Sequence, residues 1–329
     1  MNSVKWAMVG TGFMATLILK DFALSENTQL VALVSRDVER AKARLASEGI
    51  SAKALTFEQA IEDPDIDVIY IGTTHASHFE LAKRALEAGK HVLVEKAFTM
   101  DAAEARELKS LAAAHGRFIM EAMWTKFQPL HLELKRLVEA GRIGKLKFIE
   151  SSFGTNPPYD ANHRLFSHED GGGSALDQGV YTTTFSHWYA NSPLRKQSTI
   201  GELFPTGADA SVHSTFEYEN GVVAYAHSSL NTTLGLSARL VGDKGSIVLK
   251  PSFWNSEEAV ISGPEDGHEH PHEVIHMPHR GAGYVHMIEA VTNAIIAGKL
   301  ESEMHPLDFT ITVMEALDEA RRQINEAAK

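Results

Sequence analysis

Gly10 and Gly12 separate an apolar run, Val4–Val9, from a helical stretch that begins at Phe13. Glycine at both places permits a tight turn and lets backbone approach a bound phosphate, whose charge is favoured at a helix N-terminus. Ala15 fills the third place of a G-x-G-x-x-A spacing, where a small side chain lets the helix pack on its strand. Glycine turns after strands are common, so the spacing gains meaning only from the pattern of the chain beyond it.

That pattern is a regular alternation. Apolar strand runs at 4–9, 29–34, 67–71, 91–94 and 117–120 are separated by helical patterns at 13–24, 38–48, 56–62, 78–88 and 101–115. Strands alternating with helices of this length mean βαβ units and a parallel sheet. After Trp124 the rhythm changes. One helix at 128–140 gives way to period-2 stretches at 147–153, 198–204, 210–218, 222–229, 237–241 and 246–249, and a last helix covers 307–328. Asn220-Gly221 and Asp243-Lys244-Gly245 are hairpin signals between them. The expected architecture is α/β plus α+β. Residues 1–122 form a doubly wound parallel sheet of Rossmann type that binds a dinucleotide, and 123–329 form a mostly antiparallel sheet domain that binds substrate.

A chain of 329 residues exceeds one ordinary core and fits two domains. It has no cysteine, which rules out disulfides, thiolate metal ligands and cysteine nucleophiles and suits the cytoplasm. A net charge of -12 argues against a nucleic-acid partner. No apolar run approaches the ~20 residues of a membrane helix, and the N-terminus enters a strand without a signal peptide, so no membrane partner is expected.

The cofactor residues are expected at strand ends, which line the ligand crevice of open α/β sheets. Gly10, Gly12, Phe13 and Met14 would face the pyrophosphate, and Thr73, Thr74 and His75 would border the ribose and nicotinamide. Where an acidic residue would hold the 2′-hydroxyl of NAD, this chain has Ser35-Arg36, a hydroxyl and a guanidinium suited to the 2′-phosphate of NADP. Asp37 beside them either caps the next helix or holds a ribose, which keeps NAD open.

Glu95-Lys96 closes the apolar strand at 91–94, beside the expected nicotinamide. A lysine there can polarise a carbonyl or ease a proton off a hydroxyl. A glycine run, 171–173, leads into a helix carrying Asp177 and Tyr181, whose spacing of four puts them on one side. A carboxylate and a phenol converging on Lys96 would make a proton-transfer group, with Lys96, Tyr181 and Asp177 catalytic.

At these residues the chain resembles the Gfo/Idh/MocA oxidoreductase family over essentially its full length. The marks are the glycine turn, Glu95-Lys96 and the helix with Asp177 and Gly179. Two departures, Ala97 where the family has proline and Tyr181 where it has histidine, are similar to the dihydrodiol dehydrogenase subgroup, as is the run 120–127. The resemblance implies NADP, Lys96 and Tyr181 as acid/base pair, a sugar or diol substrate, and a homodimer or tetramer joined through open faces of the C-terminal sheets. Trp124, Phe153, Arg164 and Phe166 are the candidate substrate wall. No metal is expected, and the histidines at 268, 270, 272, 276 and 279 read as a solvated loop or hairpin edge. The sequence also accommodates a non-catalytic dinucleotide sensor, or a redox-neutral enzyme that retains its cofactor.

Overall fold

A computed structural model of the chain describes residues 3–265 and 268–329, with the side chains of 264–272 outside that description. In the first half lie β1 (Val4–Val9), α1 (Phe13–Ile18), α2 (Asp21–Leu24), β2 (Thr28–Val34), α3 (Val38–Glu48), β3 (Lys53–Leu55), α4 (Phe57–Glu62), β4 (Val68–Ile71), α5 (His75–Glu87), β5 (His91–Val94), α6 (Ala102–His115) and β6 (Ile119–Glu121). Next come α7 (Pro129–Glu139), β7 (Leu146–Gly154), α8 (Val180–Ala190), β8 (Leu194–Leu203), β9 (Asp209–Tyr218), β10 (Val223–Ser229), β11 (Ala238–Gly242), β12 (Ser246–Leu249), β13 (Glu258–Glu265) and β14 (His268–His276). Two helices close the chain, α9 (Val285–Ile296) and α10 (Leu307–Ala327).

Contacts divide the chain into one unit of 1–127 with 279–311 and another of 128–278 with 312–329. The units are thus discontinuous, where periodicity alone puts one boundary at 122/123. A long-range pair shows why the chain returns: Trp6, fully buried on β1, donates its indole N–H to Thr292 Oγ1 of α9 at 3.2 Å. Asp21 likewise accepts Ala282 N–H and Tyr284 N–H at 2.9 and 2.8 Å.

The first unit holds a six-stranded sheet in the order β3-β2-β1-β4-β5-β6, with every neighbouring pair parallel. Val68, Ile69, Tyr70 and Ile71 are buried throughout, as a strand covered on both faces requires. The order reverses between β1 and β4, and at such a switch point the strand ends part to leave a crevice. The helical stretch after β1 breaks at Leu19-Lys20 into α1 and α2 instead of running unbroken from 13 to 24.

The second unit holds an eight-stranded sheet, β14-β13-β12-β11-β7-β10-β9-β8, antiparallel except for the β7/β10 pair. Helix α8 is apolar or hydroxylic along most of its length, and nearly every residue of it is buried. On the sheet's other side Ile200, Tyr225 and Val274 stand exposed. Among the described residues, no helix is long and apolar enough to cross a membrane. The expected histidine edge does fall on β14, paired antiparallel with β13, but the side chains of His268, His270 and His272 lie outside the described residues.

Candidate functional site

Around the glycine turn the two glycines have different reasons for being there. Gly10 has φ +114, and a Cβ on it would stand 2.4 Å from Gly72 O, so the meeting of β1 and β4 demands glycine. Gly12 has an ordinary φ of -80, is exposed, and a Cβ on it would meet nothing within 4 Å. Phe13, the first residue of α1, is 73% exposed, and Met14 is half-buried.

At the end of β2, Arg36 is exposed and Ser35 half-buried, its Oγ accepting Asp37 N–H at 3.2 Å. Asp37 caps α3, its Oδ1 accepting Glu39 N–H and Arg40 N–H at 3.0 and 3.3 Å. Of the two roles open to Asp37, the structure displays the cap.

Beyond β4, Thr73 and Thr74 are half-buried and His75 starts α5, with Ser77 Oγ donating to Thr73 Oγ1 at 2.8 Å. His78 is fully buried, edge-on to His75, and its ring nitrogens face Ala97 O at 3.0 Å and Thr73 O at 3.3 Å. Burial, with His75 adding to it, takes His78 down to about 3, so the ring is neutral and bridges the loops after β4 and β5. On the β5 loop Lys96 is half-buried. Its neighbour Glu95 is buried, with one oxygen accepting the Tyr70 hydroxyl and the other accepting Lys96 N–H at 3.2 Å. Glu95, expected at the cofactor, therefore spends both carboxylate oxygens on Tyr70 and the Lys96 amide. Burial lifts it to about 7, against the pull of Tyr70 and Lys96.

In the second unit, Asp177 lies in a π-helical turn, Ala175–Gly179, and Tyr181 in the α-helix after it. The expected α-helical spacing of the two is thus replaced by a wider turn. Its start is fixed by Asp209, buried, which accepts Ala175 N–H at 2.5 Å. Gln178 ties it to the sheet by donating to Thr155 Oγ1 at 2.7 Å and accepting Ser229 N–H at 3.3 Å. Arg164 Nη1 stands 3.5 Å from Asp177 Oδ1. Phe153 stacks on Trp254 at 3.8 Å and 3°, and the Tyr181 ring lies 5.7 and 6.0 Å from theirs. Phe166, expected on the substrate wall, is buried against Tyr159 and Phe204. Trp124 belongs to the first unit and stacks on Tyr284 at 4.3 Å and 16°.

Residues 4–123 match the family model described as oxidoreductase family, NAD-binding Rossmann fold, and 131–248 match the GFO/IDH/MocA C-terminal domain. The chain belongs to the Gfo/Idh/MocA oxidoreductase family. The trans-1,2-dihydrobenzene-1,2-diol dehydrogenase of Xenopus laevis is 32% identical over 330 residues, covering 98% of each chain. Among solved structures, the aldose-aldose oxidoreductase of Caulobacter crescentus superposes with a TM-score of 0.87 at 22% identity, covering 99% of this chain and 98% of that one. A 3-ketoreductase of Actinomadura kijaniata, crystallised with NADP and TDP-benzene, does so with a TM-score of 0.84 at 22% identity, covering 98% of each. Membership makes the protein an NAD(P)-dependent oxidoreductase.

For this Gfo/Idh/MocA member, sequence reasoning missed Trp254, His78 and Tyr70. Trp254 carries no motif and is placed by a 3-10 turn, Phe253–Asn255, after β12. His78 and Tyr70 give no sequence signal, because their partners Ala97 and Glu95 come from the loop after the neighbouring strand β5.

Proposed function

We propose that the protein is an NADP-dependent dehydrogenase that moves hydride between a nicotinamide and a CH–OH carbon of a sugar, polyol or vicinal diol. Gly12 carries the reading: the fold makes no demand for glycine there, whereas a phosphate lying against the backbone does. Gly10, Gly12, Phe13 and Met14 would hold the pyrophosphate, Ser35 and Arg36 the 2′-phosphate, and Thr73, Thr74 and His75 the ribose and nicotinamide. When bound, the cofactor supplies the hydride acceptor or donor. The exposed Arg36, a guanidinium beside the Ser35 hydroxyl, supports NADP over NAD.

Lys96 and Tyr181 handle the proton of the substrate hydroxyl, and Asp177, facing Arg164, orients the hydroxyl. The stacked Phe153 and Trp254 beside Tyr181 offer flat apolar surface to sugar C–H faces or a diol ring. The names of the 30–32% identical relatives support a diol substrate. Exposed Ile200, Tyr225 and Val274 on one sheet face, with Val274, Val260 and Val248 in register across β14, β13 and β12, support a homodimer or tetramer. The cysteine-free sequence supports a cytoplasmic setting.

Lys96→Ala tests the assignment. Turnover of sugars or diols with NADP should fall by about a hundredfold or more, with NADPH affinity by fluorescence titration nearly unchanged. Wild-type turnover in that variant sinks the proton role.

A further inference from the structure

β6 ends at Glu121, in register with Val94, and the next residue, Ala122, donates its N–H to Val94 O at 2.7 Å. The Glu121 side chain is fully buried. Its Oε1 accepts Phe98 N–H at 3.2 Å, which fastens the loop two residues beyond Lys96. Its Oε2 lies 3.0 Å from His305 Nε2 and 3.3 Å from Thr310 Oγ1, which are themselves 3.0 Å apart. His305 is fully buried too, and its Nδ1 has no hydrogen-bond partner. Burial and the nearby Lys126 push the His305 pKa down against the pull of Glu121, so the ring is neutral. A buried ring nitrogen without a partner costs least as a bare lone pair, which puts the single proton on Nε2, where it is donated to Glu121.

Stability alone gives no reason for a carboxylate here. Replacing a buried polar or ionic cluster by apolar residues of similar volume is often neutral or stabilising. What an apolar residue cannot do is accept Phe98 N–H and so fix the course of the chain after Lys96. We propose that Glu121 is a positioning residue for Lys96: its carboxylate pins Phe98 N–H, and His305 and Thr310 anchor that carboxylate from behind. The functional consequence rests on Lys96 being the proton-handling group, but the placement of the lysine does not.

The experiment therefore reads Lys96 directly. Folded full-length wild type, Glu121→Gln and Glu121→Ala are treated with trinitrobenzenesulfonate at one pH. Modification of Lys96 is followed by mass spectrometry against Lys42, an exposed lysine on α3. The Lys96-to-Lys42 rate ratio should change by about tenfold in Glu121→Ala, because a loop released from its anchor no longer holds one side-chain geometry. It should change by about threefold in Glu121→Gln, whose amide oxygen still accepts Phe98 N–H but whose amide group opposes the His305 N–H. A purely structural Glu121 lowers the melting temperature and leaves the ratio in the folded protein unmoved. An unchanged ratio in Glu121→Ala, or in Glu121→Gln where the alanine chain does not fold, overturns the proposal. Activity surviving Lys96→Ala would remove the proton role of Lys96 while leaving the labelling result to stand or fall by itself.

Discussion

Tyr70 and Glu95 meet across the ends of the adjacent parallel strands β4 and β5, the phenol donating to a buried carboxyl. The pair places a titrating group immediately before Lys96. Glu95 reaches about 7 in the folded chain, above the ordinary 4.5, because burial outweighs the hydrogen bond from Tyr70 and the charge of Lys96.

A raised carboxyl makes the protein less stable as pH climbs. Below pH 4.5 the group is protonated in both folded and unfolded chains. Between 4.5 and about 7 the folded chain keeps a proton that the unfolded chain releases, so stability falls as pH rises, and above 7 it levels. The full loss across that window is about 3 kcal/mol. Urea unfolding of wild type and Glu95→Gln from pH 5 to 8 should show the wild type losing ground to the variant over that window. A difference independent of pH would mean that Glu95 does not titrate there.

The two turn glycines should separate folding from binding. Gly10→Ala puts a Cβ against Gly72 O and a side chain at φ +114, and should cost on the order of 1–3 kcal/mol of stability. The Cβ of Gly12→Val would have nothing within 4 Å of it, so its melting temperature should stay near wild type while its affinity for NADPH drops about tenfold or more. Equal NADPH affinity in Gly12→Val would take the phosphate away from this turn.

Arg36 and Asp37 are neighbours with opposite expected behaviour. Arg36→Ala should weaken NADPH by about tenfold or more and NADH far less, through loss of a charged donor to the 2′-phosphate. Asp37→Ala should cost about 1 kcal/mol of stability through the lost α3 cap and leave the NADPH-to-NADH affinity ratio where it was. Titrations of both variants with both nucleotides decide the matter, and an equal loss of both in Arg36→Ala would undo the NADP assignment.

Much of this protein was legible in its sequence by local rules. The run of apolar strands and amphipathic helices to residue 121, the turn at Gly10, and the cap at Asp37 depend on neighbours within a few residues. Side-chain period and backbone preference act at that range, so they can be read from the sequence alone. Where the range lengthened, the reading failed. The return of α9 to β1 depends on Trp6 meeting Thr292, and the π turn at 175–179 depends on Asp209 reaching Ala175. Phe153 and Phe166 look alike as aromatic residues in one stretch, yet one stacks on Trp254 and the other packs on Phe204. Glu121 read only as part of a family-like run until His305 and Thr310 were brought to it from the far end of the chain. The sequence by itself determined the alternation of elements, the dinucleotide turn and the residue types available for proton transfer. Only the tertiary structure decided which of those side chains are buried, paired or left at a surface, because strand order and register, set by the whole core at once, choose each side chain's partners.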